Sequence, residues 1–231
     1  MVAMSDVDVG EWYGMVRERL SKLVTLEQQK LAAAVLLCSP YVPLLFMGQE
    51  YGETAPFYFF TSFDDPALVE AVREGRRKEL AVFAGDRHFA DPQDPAAFEQ
   101  STLDWTRLQE APHWAILRLY SDLIALRKNL PCLANCRKDL TRITFSQESK
   151  WMVMERADPT PSLALLVCNF AGCEQSVPVA FGERTWFLKV WTGAEAYGGA
   201  DGQDAPPPTA GENDSNVILA ASQAALYATA N

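Results

Sequence analysis

The pattern of hydrophobic and polar positions first predicts regular structure at Thr25, since residues 1–20 show little periodicity. Thr25-Leu26-Glu27-Gln28 is a capping box, in which Thr25 and Gln28 can each bond the other's backbone amide, and it predicts a helix that runs to about Cys38. The second half of this helix is apolar on all sides, so we expect protein to cover most of its faces. A short apolar run from Pro43 to Met47 then predicts a strand buried on both faces of a parallel sheet.

Two more helices are predicted further along the chain. Asp65 can cap a helix with Pro66 at its first position, and Pro112 opens another that ends before Pro131. The apolar positions expected to face inward are Leu68, Val72, Leu80 and Phe83 in the first of these and Ile116, Leu117, Tyr120, Leu123 and Ile124 in the second. Residues 49–64 and 86–110 are expected to be loops. Alternating charges between residues 70 and 79 favour a solvated face over an anion site.

From Leu140 onward, apolar and polar positions alternate, which is typical of strands. The candidate strands are Thr141–Phe145, Trp151–Arg156, Ser162–Phe170, Gln175–Val179, Thr185–Trp191 and part of Asn216–Tyr227. Turn residues between them indicate an antiparallel sheet or a small sandwich. The Gly-, Asp- and Pro-rich stretch from Tyr197 to Asp214 is expected to be an exposed loop. The pattern therefore changes from α/β to all-β near residues 130–138.

Composition narrows the functional classes. The 231 residues are 48% hydrophobic and 22% charged with a formal net charge of −10, which excludes bulk disorder and disfavours binding to nucleic acid or an anionic membrane. The uncharged run Leu31–Gln49 is long enough to raise the question of a membrane span, but Pro40 and Pro43 interrupt it, so a buried helix and strand explain it better. No signal peptide is visible, and an odd cysteine count indicates reduced thiols. We expect a cytoplasmic protein.

Several kinds of catalytic or metal site find little support. Neither of the two histidines, His88 and His113, lies beside a nucleophile in a recognisable elbow. Four cysteines, Cys132, Cys136, Cys168 and Cys173, raise the possibility of a zinc site, but their spacing is loose and Cys168 is expected in mid-strand as a small buried hydrophobe. We therefore expect no metal and no cofactor.

Carboxylate side chains remain as candidates for a catalytic role. Gln49-Glu50-Tyr51-Gly52-Glu53 follows the predicted strand at its carboxyl end, which is where α/β proteins bind ligands. Glycoside hydrolysis with retention needs two carboxylates about 5–5.5 Å apart. Glu50 or Glu53 could supply one, but the sequence shows no obvious partner. The alternative is that Glu50 accepts backbone or arginine hydrogen bonds that fix the loop, and we favour it.

Several motifs together resemble malto-oligosyltrehalose trehalohydrolase, a family of the α-amylase superfamily. They are Arg19-Leu20-Ser21, the segment Leu26 to Ala34, Pro43 to Glu53, Ala55-Pro56-Phe57, Glu74-Gly75-Arg76-Arg77, Asp91-Pro92-Gln93 and Ser101-Thr102-Leu103-Asp104-Trp105. They occur in the family's order, and the resemblance extends from about residue 18 to the end. The family hydrolyses the α-1,4 bond next to the trehalose end of maltooligosyl trehalose and releases trehalose.

The resemblance implies an α+β chain that is the C-terminal fragment of a (β/α)8 barrel, with its last helix, strand and helix, followed by an antiparallel β-sheet or sandwich domain. Residues 1–17 would be an unmatched leader, 18–133 the barrel part and 134–231 the β domain. The family's nucleophile and acid/base lie upstream of these segments. Its Asn-His-Asp-Gln motif is also absent before Glu18-Arg19-Leu20-Ser21, where Asp8 and Glu11 lack the expected His and Asn neighbours. We therefore assign no catalytic residue.

Three functions follow from this interpretation. The first is the C-terminal part of a trehalohydrolase, inactive alone and completed by an N-terminal barrel chain or prone to self-association. The second is a non-catalytic protein that binds an α-1,4-glucan or maltooligosyl trehalose, with Gln49, Glu50, Tyr51 and Trp105 as candidate substrate-binding residues. The third is an active hydrolase that pairs Glu50 with Glu53, Asp64 or Asp104.

Overall fold

The structure, a computed structural model, describes residues 2–3, 19–84, 91–201, 203, 205–206, 209–210 and 216–229. Its helices are α1 (Leu20–Leu23), α2 (Leu26–Cys38), α3 (Pro66–Ala84), α4 (Pro95–Gln100), α5 (His113–Asn129) and α6 (Pro131–Ala134). Its strands are β1 (Val2–Ala3), β2 (Val42–Pro43), β3 (Thr141–Ser146), β4 (Trp151–Ala157), β5 (Leu163–Asn169), β6 (Gln175–Pro178), β7 (Trp186–Trp191), β8 (Thr209–Ala210), β9 (Asn216–Leu219) and β10 (Ala224–Thr229). In these ranges no helix is both long and apolar enough to cross a membrane.

Helix α2 confirms the capping box. The Thr25 hydroxyl accepts a hydrogen bond from the Gln28 amide at 3.3 Å, and the Gln28 side chain accepts one from the Thr25 amide at 3.0 Å. These bonds satisfy amides that have no partner within the helix. The side chains of Leu31, Ala33, Ala34, Leu36, Leu37 and Cys38 are buried, so most faces of the second half are covered, as expected.

The prediction of a buried strand over Pro43–Met47 is wrong. The regular part, β2, covers only Val42–Pro43 and pairs in parallel with β1. Val42, Leu44 and Met47 are each about half exposed. A strand must satisfy its backbone groups through neighbouring strands, and among the described residues β1 is the only strand that pairs with this segment. Apart from β1, the predicted leader, residues 1–17, lies outside the described residues.

Two other predictions need correction in this half. Asp65 caps α3 as predicted, accepting a hydrogen bond from the Ala67 amide at 2.8 Å, but Leu68, predicted to face inward, is exposed. The side chains of Leu80 and Phe83 lie outside the described part of the structure. The predicted loop over residues 86–110 contains the short helix α4, because Asp94 caps the Ala96 amide and Pro95 takes the first helical position.

The strands form one six-stranded antiparallel sheet, in the order β3-β4-β5-β10-β7-β8, and a two-stranded antiparallel ribbon of β6 and β9. These strands confirm the alternating segments predicted from the sequence. The predicted loop from Tyr197 to Asp214 is partly wrong, since Tyr197 is buried and Thr209–Ala210 pairs with β7 as an edge strand.

The sheet uses its two faces differently. One face, which includes Met154, Leu166 and Leu226, shares a hydrophobic cluster with α2, α5 and α6. The opposite face, which includes Val153 and Leu165, packs against Val177 and Val217 of the ribbon. Because a single cluster joins helices and strands, the change in pattern near residues 130–138 marks a change of secondary structure inside a continuous core.

The cysteines are free thiols in two environments. Cys38, Cys132 and Cys168 are buried, and Cys136 and Cys173 are exposed. Burial raises the pKa of Cys38 to about 12 and that of Cys168 well above its ordinary value, so both are uncharged at neutral pH. Within the described ranges no three His, Cys, Asp or Glu side chains are grouped so that they could hold a metal ion.

Candidate functional site

The candidate site is the loop that follows β2. Gly48 and Gly52 both have left-handed backbone conformations, with φ of +87° and +69°, and they flank a single 3₁₀ turn, Gln49–Tyr51. A Cβ atom on Gly48 would lie 2.7 Å from the Cβ atom of Glu53, so no larger residue fits there. The two glycines thus turn the chain back on itself and bring Glu53 beneath the turn.

Glu53 organises this loop. Its Oε1 accepts hydrogen bonds from the amides of Thr54 at 2.7 Å and Ala55 at 2.8 Å, and its Oε2 accepts from the Tyr51 hydroxyl at 2.9 Å and the Asp104 amide at 2.7 Å. The side chain is buried. Burial raises the pKa of Glu53, but the four hydrogen bonds outweigh it and hold the pKa below its ordinary value. Glu53 is therefore a carboxylate at neutral pH.

Two residues of the Arg19-Leu20-Ser21 motif hold the same loop from below. Arg19 is buried and donates to the carbonyl oxygens of Met47 at 2.7 Å and Ala55 at 2.6 Å, while its guanidinium lies over the Phe46 ring. The Ser21 hydroxyl donates to the Glu53 carbonyl oxygen. These contacts give a structural reason for the motif, and residue-by-residue reasoning missed them because the partners lie about 30 positions away in sequence.

The predicted substrate-binding residues fall into two groups. Gln49 and Tyr51 are buried: the Gln49 amide donates to the Tyr120 hydroxyl at 2.9 Å, and its oxygen accepts from the Phe46 amide at 3.0 Å. Burial and the hydrogen bond to Glu53 raise the pKa of Tyr51. Glu50 is partly exposed on the turn. The loop-fixing role that the sequence suggested for Glu50 is filled by Glu53.

Trp105 is the exposed member of the predicted group. Its side chain is 59% exposed, and its ring packs on that of Tyr51 with the ring centroids 5.7 Å apart. Asp104, before it, caps a 3₁₀ turn through the Thr106 amide. The Thr106 hydroxyl and amide and the Arg107 guanidinium all donate to Asp104 and lower its pKa. Tyr51 and the Asp104 turn thus present Trp105 to solvent on a fixed support.

This arrangement is better suited to binding than to acid–base chemistry. A general acid or base needs a carboxyl group that can exchange a proton with a substrate. Both oxygens of Glu53 are already occupied by donors, and both oxygens of Asp104 accept hydrogen bonds from Thr106 and Arg107. Trp105 offers the kind of exposed aromatic face on which a sugar ring can stack.

The neighbouring aromatic residues form a cluster of their own. Phe57 contacts Phe46 and Phe60 edge to face, and Phe60 contacts Phe98 of α4. The ring contacts of these phenylalanines are therefore with one another and with α4. His113 closes the other side, with its Nδ1 atom 2.8 Å from the Tyr51 carbonyl oxygen.

Comparison with characterised sequences agrees with the motifs. The chain is 40% identical over 136 residues to a malto-oligosyltrehalose trehalohydrolase of Brevibacterium helvolum, a match that covers 58% of this chain and 23% of the relative. Proteins of the same name match from Mycobacterium tuberculosis (strain CDC 1551 / Oshkosh), at 36% over 165 residues (71% and 27%), and from Saccharolobus solfataricus, at 44% over 118 residues (51% and 19%). The resemblance to malto-oligosyltrehalose trehalohydrolase is confirmed. No protein-family model matches the chain.

The fold of the chain is similar to that of solved α-amylase structures. A putative α-amylase from Salmonella typhimurium superposes with a TM-score of 0.73 at 26% identity, covering 99% of this chain and 35% of that one. An α-amylase from Geobacillus thermoleovorans gives a TM-score of 0.58 at 14% identity, covering 100% and 39%, which shows similarity of fold alone. The chain spans 19–27% of the length of the malto-oligosyltrehalose trehalohydrolases that it matches.

Proposed function

We propose that this chain is the C-terminal part of a malto-oligosyltrehalose trehalohydrolase-like glycoside hydrolase of the cytoplasm. The observation that carries the proposal is the 36–44% identity to proteins of that name, over 51–71% of the chain in the three matches described above. The reaction would be hydrolysis of the α-1,4 bond next to the trehalose end of maltooligosyl trehalose. An α-1,4-glucan of this kind would be the substrate.

In this proposal residues 18–133 are the end of a (β/α)8 barrel and residues 134–231 its C-terminal β domain. Helix α2 would be the seventh barrel helix, Pro43–Met47 the eighth strand and α5 the eighth helix. The half-exposed side chains of Val42, Leu44 and Met47 support this assignment, because both faces of a strand in a parallel sheet are normally covered.

The chain alone would be inactive, since we assign none of its carboxylates to catalysis. Glu53 and Asp104 are occupied by structural hydrogen bonds, which argues against their pairing with Glu50 in an active hydrolase. Loss of one acid/base partner typically lowers the rate by about 10² to 10⁴-fold. Activity would require an N-terminal barrel polypeptide that supplies the missing groups.

The test is release of trehalose from maltooligosyl trehalose. We expect none from this chain alone. We expect release from a fusion of this chain to the part of the Mycobacterium tuberculosis relative that lies outside the match. A fusion that folds without releasing trehalose would contradict the assignment. Release by the chain alone that is abolished by Glu50→Gln would instead show that its own carboxylates are catalytic.

Glucan binding at Trp105 is the second candidate function, and the exposed ring supported by Tyr51 favours it. Maltoheptaose should bind the full chain, and Trp105→Ala should weaken that binding at least about tenfold by removing the stacking surface. Trp114→Ala is the matched control, because Trp114 is another exposed tryptophan, on α5. Equal affinity of the two variants would remove Trp105 from the site.

A further inference from the structure

A second concave surface lies on the β domain, away from the loop that follows β2. It is a groove of about 440 Å³, within the roughly 300–1,000 Å³ range of ligand pockets. Six of its lining residues define what is here called the outer groove: Arg142, Thr144, Trp151, Glu155, Leu165 and Pro178. Leu165 also belongs to the cluster beneath the ribbon, so the groove lies on the sheet face opposite the helices.

Strand alternation places these side chains together. Arg142 and Thr144 are two positions apart on β3, and Trp151 and Glu155 are four apart on β4, so all four point to the same side of the sheet. The antiparallel register sets Arg142 directly opposite Glu155, and Glu155 opposite Leu165. Pro178, at the end of β6 in the ribbon, also lines the groove.

The polar groups of the outer groove are available to a ligand. Arg142 and Glu155 face each other, yet among the described residues no hydrogen bond or ion pair joins their side chains to each other or to a third residue. One positive and one negative charge cancel, which favours a neutral ligand over an anion or a cation. Trp151, four positions from Glu155 on β4, adds a partly exposed aromatic ring to the lining.

We propose that the outer groove binds a neutral oligosaccharide of the α-1,4-glucan class, as a site separate from the one at Trp105. One sugar ring would stack on Trp151, and hydroxyl groups of neighbouring sugar units of the same chain would bond to Thr144, Arg142 and Glu155, which together offer donors and acceptors. The choice of an α-1,4-glucan rests on the proposed function, whereas the neutral polyhydroxy chemistry rests on the groove itself. Such a site would hold a long glucan on the β domain independently of hydrolysis.

The test is calorimetric titration of the full chain with maltoheptaose, which needs no catalytic activity. In the Trp105→Ala background, where the other proposed site is removed, Trp151→Ala should weaken binding at least about tenfold, and Arg142→Gln and Glu155→Gln should each weaken it several-fold. The matched control is Phe145→Ala, because Phe145 is exposed on the same edge strand but its position in the alternation points to the opposite face. The thermal midpoint of each variant shows whether the fold is retained, and the two charge-removing variants keep the test valid if Trp151→Ala does not fold.

The outcomes separate this proposal from the proposed function. Residual binding by Trp105→Ala that disappears when Trp151→Ala is added would establish the outer groove. If Arg142→Gln, Glu155→Gln and a folded Trp151→Ala, each made in the Trp105→Ala background, bind maltoheptaose as tightly as Trp105→Ala alone, the proposal is overturned. Absence of measurable binding by the wild-type chain would also overturn it, while leaving the fusion experiment on trehalose release unaffected.

Discussion

The Glu53 carboxylate accepts four hydrogen bonds in a buried position, and its replacement should therefore be costly. In Glu53→Gln the amide keeps one acceptor oxygen, but its NH₂ group would face the donors that Glu53 now satisfies. We expect the free energy of unfolding at pH 7 to fall by about 2–4 kcal/mol, because buried donors would be left without acceptors. Urea unfolding followed by circular dichroism measures the change.

Glu50→Gln provides the control for this substitution. Glu50 lies in the same 3₁₀ turn, is partly exposed, and makes no side-chain hydrogen bond or ion pair with the residues that the structure describes. Its replacement should change the free energy of unfolding by no more than about 0.5 kcal/mol. If the two variants were equally stable, the network around Glu53 would not stabilise the loop as argued above.

Acid should remove part of this stabilisation. The pKa of Glu53 is lower in the folded chain than the value of about 4.3 expected when it is unfolded, so its ionisation stabilises the fold above that pH. The contribution is lost as the pH falls through the folded pKa. The difference in free energy of unfolding between wild type and Glu53→Gln should therefore shrink from pH 7 to pH 3. A difference that stays constant would show that Glu53 does not titrate as inferred.

The candidate site was only partly predictable from the sequence. The apolar run and the two glycines are visible in the sequence, and the structure has a 3₁₀ turn between Gly48 and Gly52. The role of each residue in the site was not predictable. The Glu53 carboxylate is held by the groups that donate to it, and one of these, the Asp104 amide, is 51 positions away in sequence. Exposure of Trp105 and burial of Tyr51 likewise depend on how two distant segments meet.

Among the elements, the C-terminal end of α2 is held by two arginines. Arg127 of α5 donates to the carbonyl oxygens of Leu37 at 2.6 Å and of Ser39 and Tyr41 at 2.7 Å. Arg156 of β4 donates to that of Cys38 at 2.6 Å. The last carbonyl groups of a helix lack partners within it, and a cation there also interacts favourably with the negative end of the helix dipole. The two arginines thus join α2 to both α5 and the sheet.

Loss of this cap should destabilise the whole fold. Arg127→Met keeps much of the aliphatic stem but removes all three hydrogen bonds, and we expect the free energy of unfolding to fall by about 2 kcal/mol. The melting temperature should fall by roughly 4–8 °C, as measured by differential scanning calorimetry. Lys128→Met, at the next and exposed position of α5, is the control and should leave it unchanged. Equal melting temperatures would contradict the capping role.

The elements predicted best from the sequence are those that their own residues determine. The strands from β3 to β7 were found because their alternation comes from their own residues and the sheet that they build is present. The strand predicted over Pro43–Met47 was too long because a run that would be buried in a larger sheet is regular only where a partner strand lies beside it. Helix α4 was not predicted because Pro92 and Pro95 indicated a loop. Pro95 is instead the first residue of the helix.

At the scale of the whole molecule, the helices and the sheet form one structural unit. One hydrophobic cluster unites α2, α5 and α6 with the strands of the main sheet. Lys30, fully buried on α2, donates to the Tyr197 carbonyl oxygen at 3.2 Å, and the Tyr197 hydroxyl donates to Asp122 of α5 at 2.8 Å. These contacts should make the helical and β parts unfold together, since neither covers its own apolar face alone.

The segment that begins with β2 leaves apolar side chains uncovered. Val42, Leu44 and Met47 are each about half exposed along one short segment, and neighbouring exposed apolar residues of this kind mark contact surfaces. At 0.15 M salt, where screening limits repulsion between chains of net charge −10, we expect the chain to self-associate through this segment at micromolar concentration. Leu44→Glu should shift sedimentation velocity profiles toward monomer. Ile218→Glu changes the net charge equally at an exposed apolar position of β9, so if it dissociated the chain as well, charge rather than the segment would be responsible.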